Sequence, residues 1–263
     1  MPRVFDCFMF YDEYDMTLAR MNILRDVVNY HVIVEAHETH SGKPKSLNFK
    51  DNRHLFAEFD DKIIYVCVEQ LSDGVRDSWQ REAFQRSQIS VGLKVASIQP
   101  DDLIIVSDCD EIIRPEVVPL VRMAANCQAD VYYFRLNYRA LHQPWGINCC
   151  RYSVQPDPCG IKTGAGYPSD RQKFDKGGWH FTYFYDTPEQ VVSKINAFMH
   201  HDLADTDGRL RDVEYAKRGL TEGLDLFRDV LMRDIGLERV DLEATLPRYI
   251  LDNLGKFSHW IAP

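Results

Sequence analysis

Short apolar runs alternate with amphipathic segments through the first half of this chain, and that alternation constrains the fold more than any other feature. Val4–Phe10, Tyr30–Ala36, Lys62–Val68 and Leu103–Ser107 have the length and continuity of buried strands, and Val131–Tyr138 reads as an aromatic fifth. Between them lie helical signals. Tyr14, Leu18, Met21, Leu24 and Val28 recur at helical spacing behind Asp12 and Glu13. Asn52–Phe59 reads as a short helix, Ser78–Ile98 as a longer one, and Glu116–Ala125 as a helix begun by Pro115. Strands separated by helices pair in parallel through right-handed crossovers, so the expected class is α/β, a mainly parallel Rossmann-like sheet flanked by helices. Residues 139–178, rich in Gly, Pro, Asp and Arg, read as long loops around short strands, the kind of segment that builds a binding face. Trp179–Tyr185 reads as one more strand, followed by helices over about 188–254. No repeat or linker divides the 263 residues, so one domain is expected, with residues 1–138 and 139–263 as its two halves.

Composition removes several classes of function. Forty acidic against 31 basic side chains give a net charge of −9, which argues against a nucleic-acid binder. No apolar run approaches the roughly 18 residues of a membrane span. The N-terminus reads as a first strand instead of a signal peptide. Seven cysteines in a chain of this length suggest free thiols and a reducing cytoplasm. Cys149, Cys150 and Cys159 cluster without a Cys-x-x-Cys pair, so a zinc site there is not the favoured reading.

The stretch LIIVSDCDEIIRP carries most of the chemistry. Asp108, Asp110 and Glu111 follow a buried strand, at the end where parallel sheets bind ligands. Carboxylates so close together repel unless a cation neutralises them, and oxygen ligands suit Mg²⁺ or Mn²⁺ beside a phosphate. The plain reading is a solvated turn capping the next helix. A rival is the aspartate nucleophile of haloacid-dehalogenase-like phosphohydrolases, weakened here because Ile112 stands where Thr or Val is needed and four strand-like runs come first.

With this strand order and Asp-x-Asp, the chain resembles a GT-A glycosyltransferase, and its phrases resemble glycosyltransferase family 17. Those phrases are FDCFMFYDEYDMTLARMNIL, HVIVEAHETHSGKPKSLNFKDNR, KIIYVCV, WQREAFQRSQI, LIIVSDCDEIIRPE and GWHFTYF, in family order over residues 5–185. The resemblance implies a sugar-nucleotide donor, most simply UDP-GlcNAc, and a divalent cation (Mn²⁺ or Mg²⁺) held by Asp108, Asp110 and His180. Asp108 is also a candidate ribose contact. Arg20 and Glu35 are implied near the nucleoside, with a surface ion pair as the plainer reading. Arg81, Gln85 and Arg86 share one helical segment with Trp79, and an Arg fork matches diphosphate oxygens. Glu82 is equally placed to hold Arg86 in a helix salt bridge. Lys43 and Lys45 are either phosphate neutralisers or solvated loop charges. His200 and His201 are weaker alternatives to His180.

The resemblance also implies inversion: an acceptor hydroxyl displaces the nucleotide in one in-line step, which needs a general base. Glu111 and Asp175 are the candidates, with Asp170 also possible. Trp145 and Trp179 are candidate acceptor-binding aromatics, although core packing is the default for Trp179. The acceptor is expected to be a glycan, glycolipid or glycoprotein, and the setting cytoplasmic. A non-catalytic sugar-nucleotide or metal-binding module is the alternative class.

Overall fold

The computed structural model describes residues 2–71, 77–142, 144–185, 187–197, 208–227 and 235–262. Its centre is a ten-stranded sheet. The strands are β1 (Val4–Met9), β2 (Tyr30–Ala36), β3 (Ile63–Val68), β4 (Leu103–Val106), β5 (Glu111–Ile113), β6 (Ala124–Tyr133), β7 (Tyr138–Ala140), β8 (Gly146–Arg151), β9 (Gln172–Thr182) and β10 (Leu237–Arg239). They run in the order β10-β7-β6-β8-β4-β1-β2-β3, with β9 pairing both β5 and β6. The expected α/β sheet is present, and it spans both halves of the chain.

The expected parallel pairing is present over β1 to β4, and the sheet becomes mixed beyond it. β1 pairs β2 and β4, and β2 pairs β3, all in parallel. Beyond β4 the pairing turns antiparallel through β8 to β6 and β7, while β9 runs parallel to β6. The parallel set behaves as its sequence suggests, because alternate side chains feed different cores. Phe5, Cys7, Ile104 and Val106 pack with Ile89 and Leu93, whereas Phe8, Phe10 and Ile33 pack with Phe49, Phe56 and Phe59.

Several local expectations change. Residues 78–98 form two helices, α3 (Ser78–Ser87) and α4 (Ile89–Val95), after α1 (Tyr14–Ile23) and α2 (Asn48–Asp51). Residues expected as a short helix at 52–59 instead form a 3₁₀ stretch, Arg53–Lys62. The helix expected over 116–125 is only a 3₁₀ turn at Val118–Leu120, since Pro119 and the β-branched valines oppose a longer one. β6 then begins at Ala124, and ends five residues short of Tyr138. Residues 139–178 carry the expected strands among their loops, β7, β8 and the first part of β9, and add a helix α5 (Pro158–Thr163). The C-terminal part holds α6 (Pro188–Ala197), α7 (Val213–Glu222), α8 (Leu242–Thr245) and α9 (Arg248–Asp252), together with β10. Among the described residues no helix is long and apolar enough to cross a membrane.

Candidate active site

Strand order reverses between β1 and β4: the chain builds β1, β2, β3 outward and then returns to place β4 on the other side of β1. Such a switch point leaves a crevice at the carboxyl ends of the strands. A cleft of about 600 Å³ lies there, lined by Tyr11 and Glu13 after β1, His40 after β2, and Asp108 and Asp110 after β4. The antiparallel region closes it with Trp145, Lys162 and His180, and α6 adds Lys194.

The acidic turn is held from below by Arg20, whose side chain is fully buried. Its guanidinium donates to the Asp6 carboxylate, to Ser107 Oγ, and to the main-chain carbonyls of Asp108 (2.7 Å) and Glu111 (2.8 Å). Asp6 also bonds His31 Nδ1 at 2.9 Å. Burial alone would raise the Asp6 carboxyl, but Arg20 and His31 hold it well below the ordinary carboxylate range. Arg20 is therefore enclosed beneath the turn and fixes its path. Glu35 is likewise buried, accepting from Lys45 Nζ (3.0 Å), Tyr65 Oη (2.9 Å) and the Phe49 amide (3.1 Å). The surface ion pair of the two residues does not exist, since each has its own buried partners. Lys45 reaches the cleft wall from this contact. Lys43 is not among the residues lining the cleft.

Above the turn, positive charge converges on Asp108. Arg86 donates to one oxygen at 2.9 Å and Lys162 to the other at 2.9 Å. Burial raises the Asp108 carboxyl, yet these two cations depress it well below its usual value. Arg86 also pairs with Glu82, the helix salt bridge that their spacing allows. Gln85 is buried and joins His40 Nε2 (2.9 Å) to the Val34 carbonyl (3.2 Å). Arg81 does not line the cleft: it donates to the His40 carbonyl and lies against Gly42, where φ is +82° and any side chain would meet the guanidinium at 3.0 Å.

Asp110 has a different environment. β5 pairs β9 with Glu111 opposite His180, which brings His180 Nε2 to 3.8 Å from an Asp110 oxygen. Gly178 permits this approach, because a Cβ there would sit 2.8 Å from the Ile112 carbonyl oxygen. Burial, only partly offset by His180 and reinforced by Glu111 and Asp108, pushes the Asp110 carboxyl up to about 6. A carboxylate short of positive charge beside an imidazole is a donor set suited to Mn²⁺. The third expected ligand does not join them. Among the described residues the trio of His, Cys or carboxylate ligand atoms within 4.8 Å of one another is His37, Cys67 and Glu69, so Asp108 is not gathered with Asp110 and His180. The cysteines at 149, 150 and 159 form no such group either.

Neither expected base reaches the cleft. Glu111 is fully buried, accepting from Lys162 Nζ at 2.6 Å, Trp145 Nε1 at 2.8 Å and the Asp108 amide at 3.1 Å. Its lone pairs are committed to shaping the site. Asp175 and Asp170 are exposed and stand away from the cleft lining. Trp145 does line it, with its ring tilted on His180 at 4.8 Å, and so belongs to the Asp110 side of the site. Trp179 is 3% exposed, bonds the Thr245 carbonyl at 2.8 Å and carries Arg114 over its ring; it is a core residue. His200 and His201 lie outside the described residues.

Sequence reasoning missed Lys162, Glu13 and Lys194. Lys162 had a readable signal: Asp157 caps α5, Pro158 begins it and Gly164 ends it in the left-handed region, so DPCGIKTG is a short helix that presents a lysine. The Glu13–Lys194 ion pair joins residues 181 apart and had no local signal.

The fold and site together are an α/β sheet with an acidic turn at its switch point, facing a cleft lined by Arg86 and Lys162. The sequence profile of glycosyltransferase family 17 matches residues 1–262, and the chain belongs to that family. It is similar to β-1,4-mannosyl-glycoprotein 4-β-N-acetylglucosaminyltransferases, at 29% identity over 115 residues in Rattus norvegicus and 30% over 105 in Homo sapiens. Those matches cover 42% and 38% of this chain, but only 21% and 20% of the relatives' own length. Among solved structures it overlaps glucosyl-3-phosphoglycerate synthase from Mycobacterium tuberculosis in complex with Mn²⁺, UDP and phosphoglyceric acid. That overlap has a TM-score of 0.38 and 10% identity, covering 80% of this chain and 78% of that one, and is too loose for residue-by-residue comparison.

Proposed function

We propose that this glycosyltransferase moves N-acetylglucosamine from UDP-GlcNAc to a hydroxyl of a glycan or glycolipid, with inversion and with help from a divalent cation. The observation that carries the reading is the division of charge in the cleft. Arg86 and Lys162 stand over Asp108 as donors for a diphosphate, while Asp110 and His180 form a separate oxygen and nitrogen pair without a full counter-charge. Asp110 and His180 would hold the cation, whose contribution is to offset negative charge on the departing diphosphate.

The remaining work falls to residues of the chain. Arg86 and Lys162 bind diphosphate oxygens and stabilise the charge that develops as the anomeric bond breaks. Asp108 keeps those two cations in place. Glu111, through Lys162 and Trp145, fixes the geometry of the same wall. The N-acetylglucosamine assignment draws support from the names of the mammalian relatives, N-acetylglucosaminyltransferases. Carboxylates that line the cleft, Glu13 among them, replace Glu111 and Asp175 as the pool from which the base is drawn.

UDP in the presence of Mn²⁺ should raise the melting temperature, by about 2.7 kcal/mol of added stability at roughly 100 times Kd. UDP-GlcNAc with Mn²⁺ and no acceptor should be slowly hydrolysed. A shift with GDP or CMP but none with UDP overturns the donor assignment.

A further inference from the structure

A second cluster of ligating side chains lies outside the cleft, at the edge of the sheet. β3 is the last strand in the sheet order, and Cys67 sits on it opposite Glu35 of β2. Glu69 follows one residue beyond the strand, and His37 follows β2, its amide donating to the Val68 carbonyl at 3.2 Å. This register places His37 Nε2 at 3.5 Å from one Glu69 oxygen, and the Cys67 thiol donates to the other at 3.8 Å. All three ligand atoms lie within 4.8 Å of one another. In tetrahedral zinc sites, bonds of about 2.0–2.3 Å separate neighbouring ligand atoms by roughly 3.3–3.8 Å, so these side chains stand at nearly the required spacing.

We propose that His37, Cys67 and Glu69 bind a borderline-soft divalent ion of the zinc class, with water completing the shell on the solvent side. The donor set decides the metal. A thiolate with an imidazole favours zinc over the hard, oxygen-seeking ions suited to the cleft. Access is consistent with this: the His37 and Glu69 side chains are 41% and 84% exposed. Cys67 and Cys159 are the cysteines not fully buried, whereas Cys7, Cys109, Cys127, Cys149 and Cys150 are enclosed. On coordination the Cys67 thiol gives its proton to solvent.

The position gives the ion a task. His37 is the root of the loop that walls the cleft: its carbonyl accepts from the Lys45 amide at 2.7 Å, Glu38 pairs with Pro44, and Thr39 bonds Lys43. Thr39, His40 and Lys45 of that loop line the cleft. An ion joining His37 to the end of β3 ties the root of this wall to the sheet edge, a brace set apart from the reacting groups.

The test uses the full chain, stripped with a chelator and titrated with Co²⁺ as a spectroscopic stand-in for zinc. One equivalent should produce a thiolate-to-cobalt band in the near ultraviolet that Zn²⁺ abolishes and Mg²⁺ does not. Cys67→Ser should remove the band, Glu69→Gln should weaken Co²⁺ binding, and Asp110→Asn should leave the band intact. A measurement on the unmodified chain guards against a variant that misfolds. Zn²⁺ should slow alkylation of Cys67 by about tenfold or more, read by peptide mapping, while Cys159 reacts at its former rate. Absence of the band, its persistence in Cys67→Ser, or equal protection of Cys67 and Cys159 overturns the site. None of these readouts depends on donor turnover.

Discussion

The two sides of the cleft are built by opposite means. On the β3-β2-β1-β4 side, each site residue leaves the end of a strand whose partners are fixed by parallel crossovers. Asp108 and Asp110 arise there because β4 ends, and Arg20 secures the turn from α1. On the β8-β6-β9 side, Lys162 comes from α5, Trp145 from the residue before β8, and His180 from β9, whose antiparallel register with β5 brings it to the turn. The first side supplies the anions of the site in one stretch of sequence. The second adds Lys162, Trp145 and His180 from distant stretches to the Arg86 that the first side already places on Asp108, and the charge balance is complete only when the two meet.

That contrast can be broken at chosen points. The largest effect is expected where the two sides touch. Asp110→Asn should cut turnover by about 10³-fold while leaving the melting temperature unchanged or higher, since a half-buried carboxylate short of counter-charge is removed. Initial rates with UDP-GlcNAc and Mn²⁺, alongside a melting curve, check this. If stability fell together with activity, the turn would be a structural cap and no more.

Arg20→Met tests the parallel side alone. It strands the buried Asp6 charge and frees the turn, so a loss of about 3–5 kcal/mol is expected in urea unfolding. Arg20→Lys should recover little, because an ammonium cannot span the carboxylate and the carbonyls together. Full recovery by lysine would show that charge alone, not the fork, holds the turn.

His40 gives the same side an acid limit. Burial, with the Arg86 and Lys194 charges, lowers its pKa from 6.5 to about 4 despite the Gln85 bond. The unfolded chain then binds the extra proton first, so this group's contribution is complete above about pH 6.5 and drains as pH falls toward 4. Its size is on the order of 3 kcal/mol. His40→Gln should flatten the slope of stability between those pH values; parallel curves for the two proteins would rule the effect out.

Smaller effects are expected on the antiparallel side. Trp145→Phe keeps a ring against His180 but removes the donor to Glu111, for a loss of about 1 kcal/mol in the urea midpoint. Asp175→Asn should change neither turnover nor stability beyond about 0.5 kcal/mol, as befits an exposed residue. A collapse of transfer in Asp175→Asn would restore it as the base.

The same contrast explains what the sequence makes legible. Val4–Met9, Tyr30–Ala36, Ile63–Val68 and Leu103–Val106 are strands close to where apolar runs place them, since each is a continuous apolar run that carries its signal locally. Asp108 and Asp110 were readable for the same reason. β6, β8 and β9 were misplaced or hidden because their stabilisation comes from partners far along the chain. The roles of Arg20 and Glu111 were misassigned because spacing shows that a charged residue faces inward but not what satisfies it. Arg20 shares the buried face of α1 with Met16 and Ala19, and its inward position was open to inference where its partners were not.

Arg20 grips the turn by its main-chain oxygens, and a carbonyl is the same whichever residue carries it. The clamp is therefore blind to the side chains it displays. In a randomised library, positions 108 and 110 should tolerate many replacements as folded, inactive protein, whereas positions 6, 20 and 107 should tolerate few. Scaffold and chemistry are separately mutable in this turn, so selection on catalysis can explore new side chains there without first repairing the backbone that presents them.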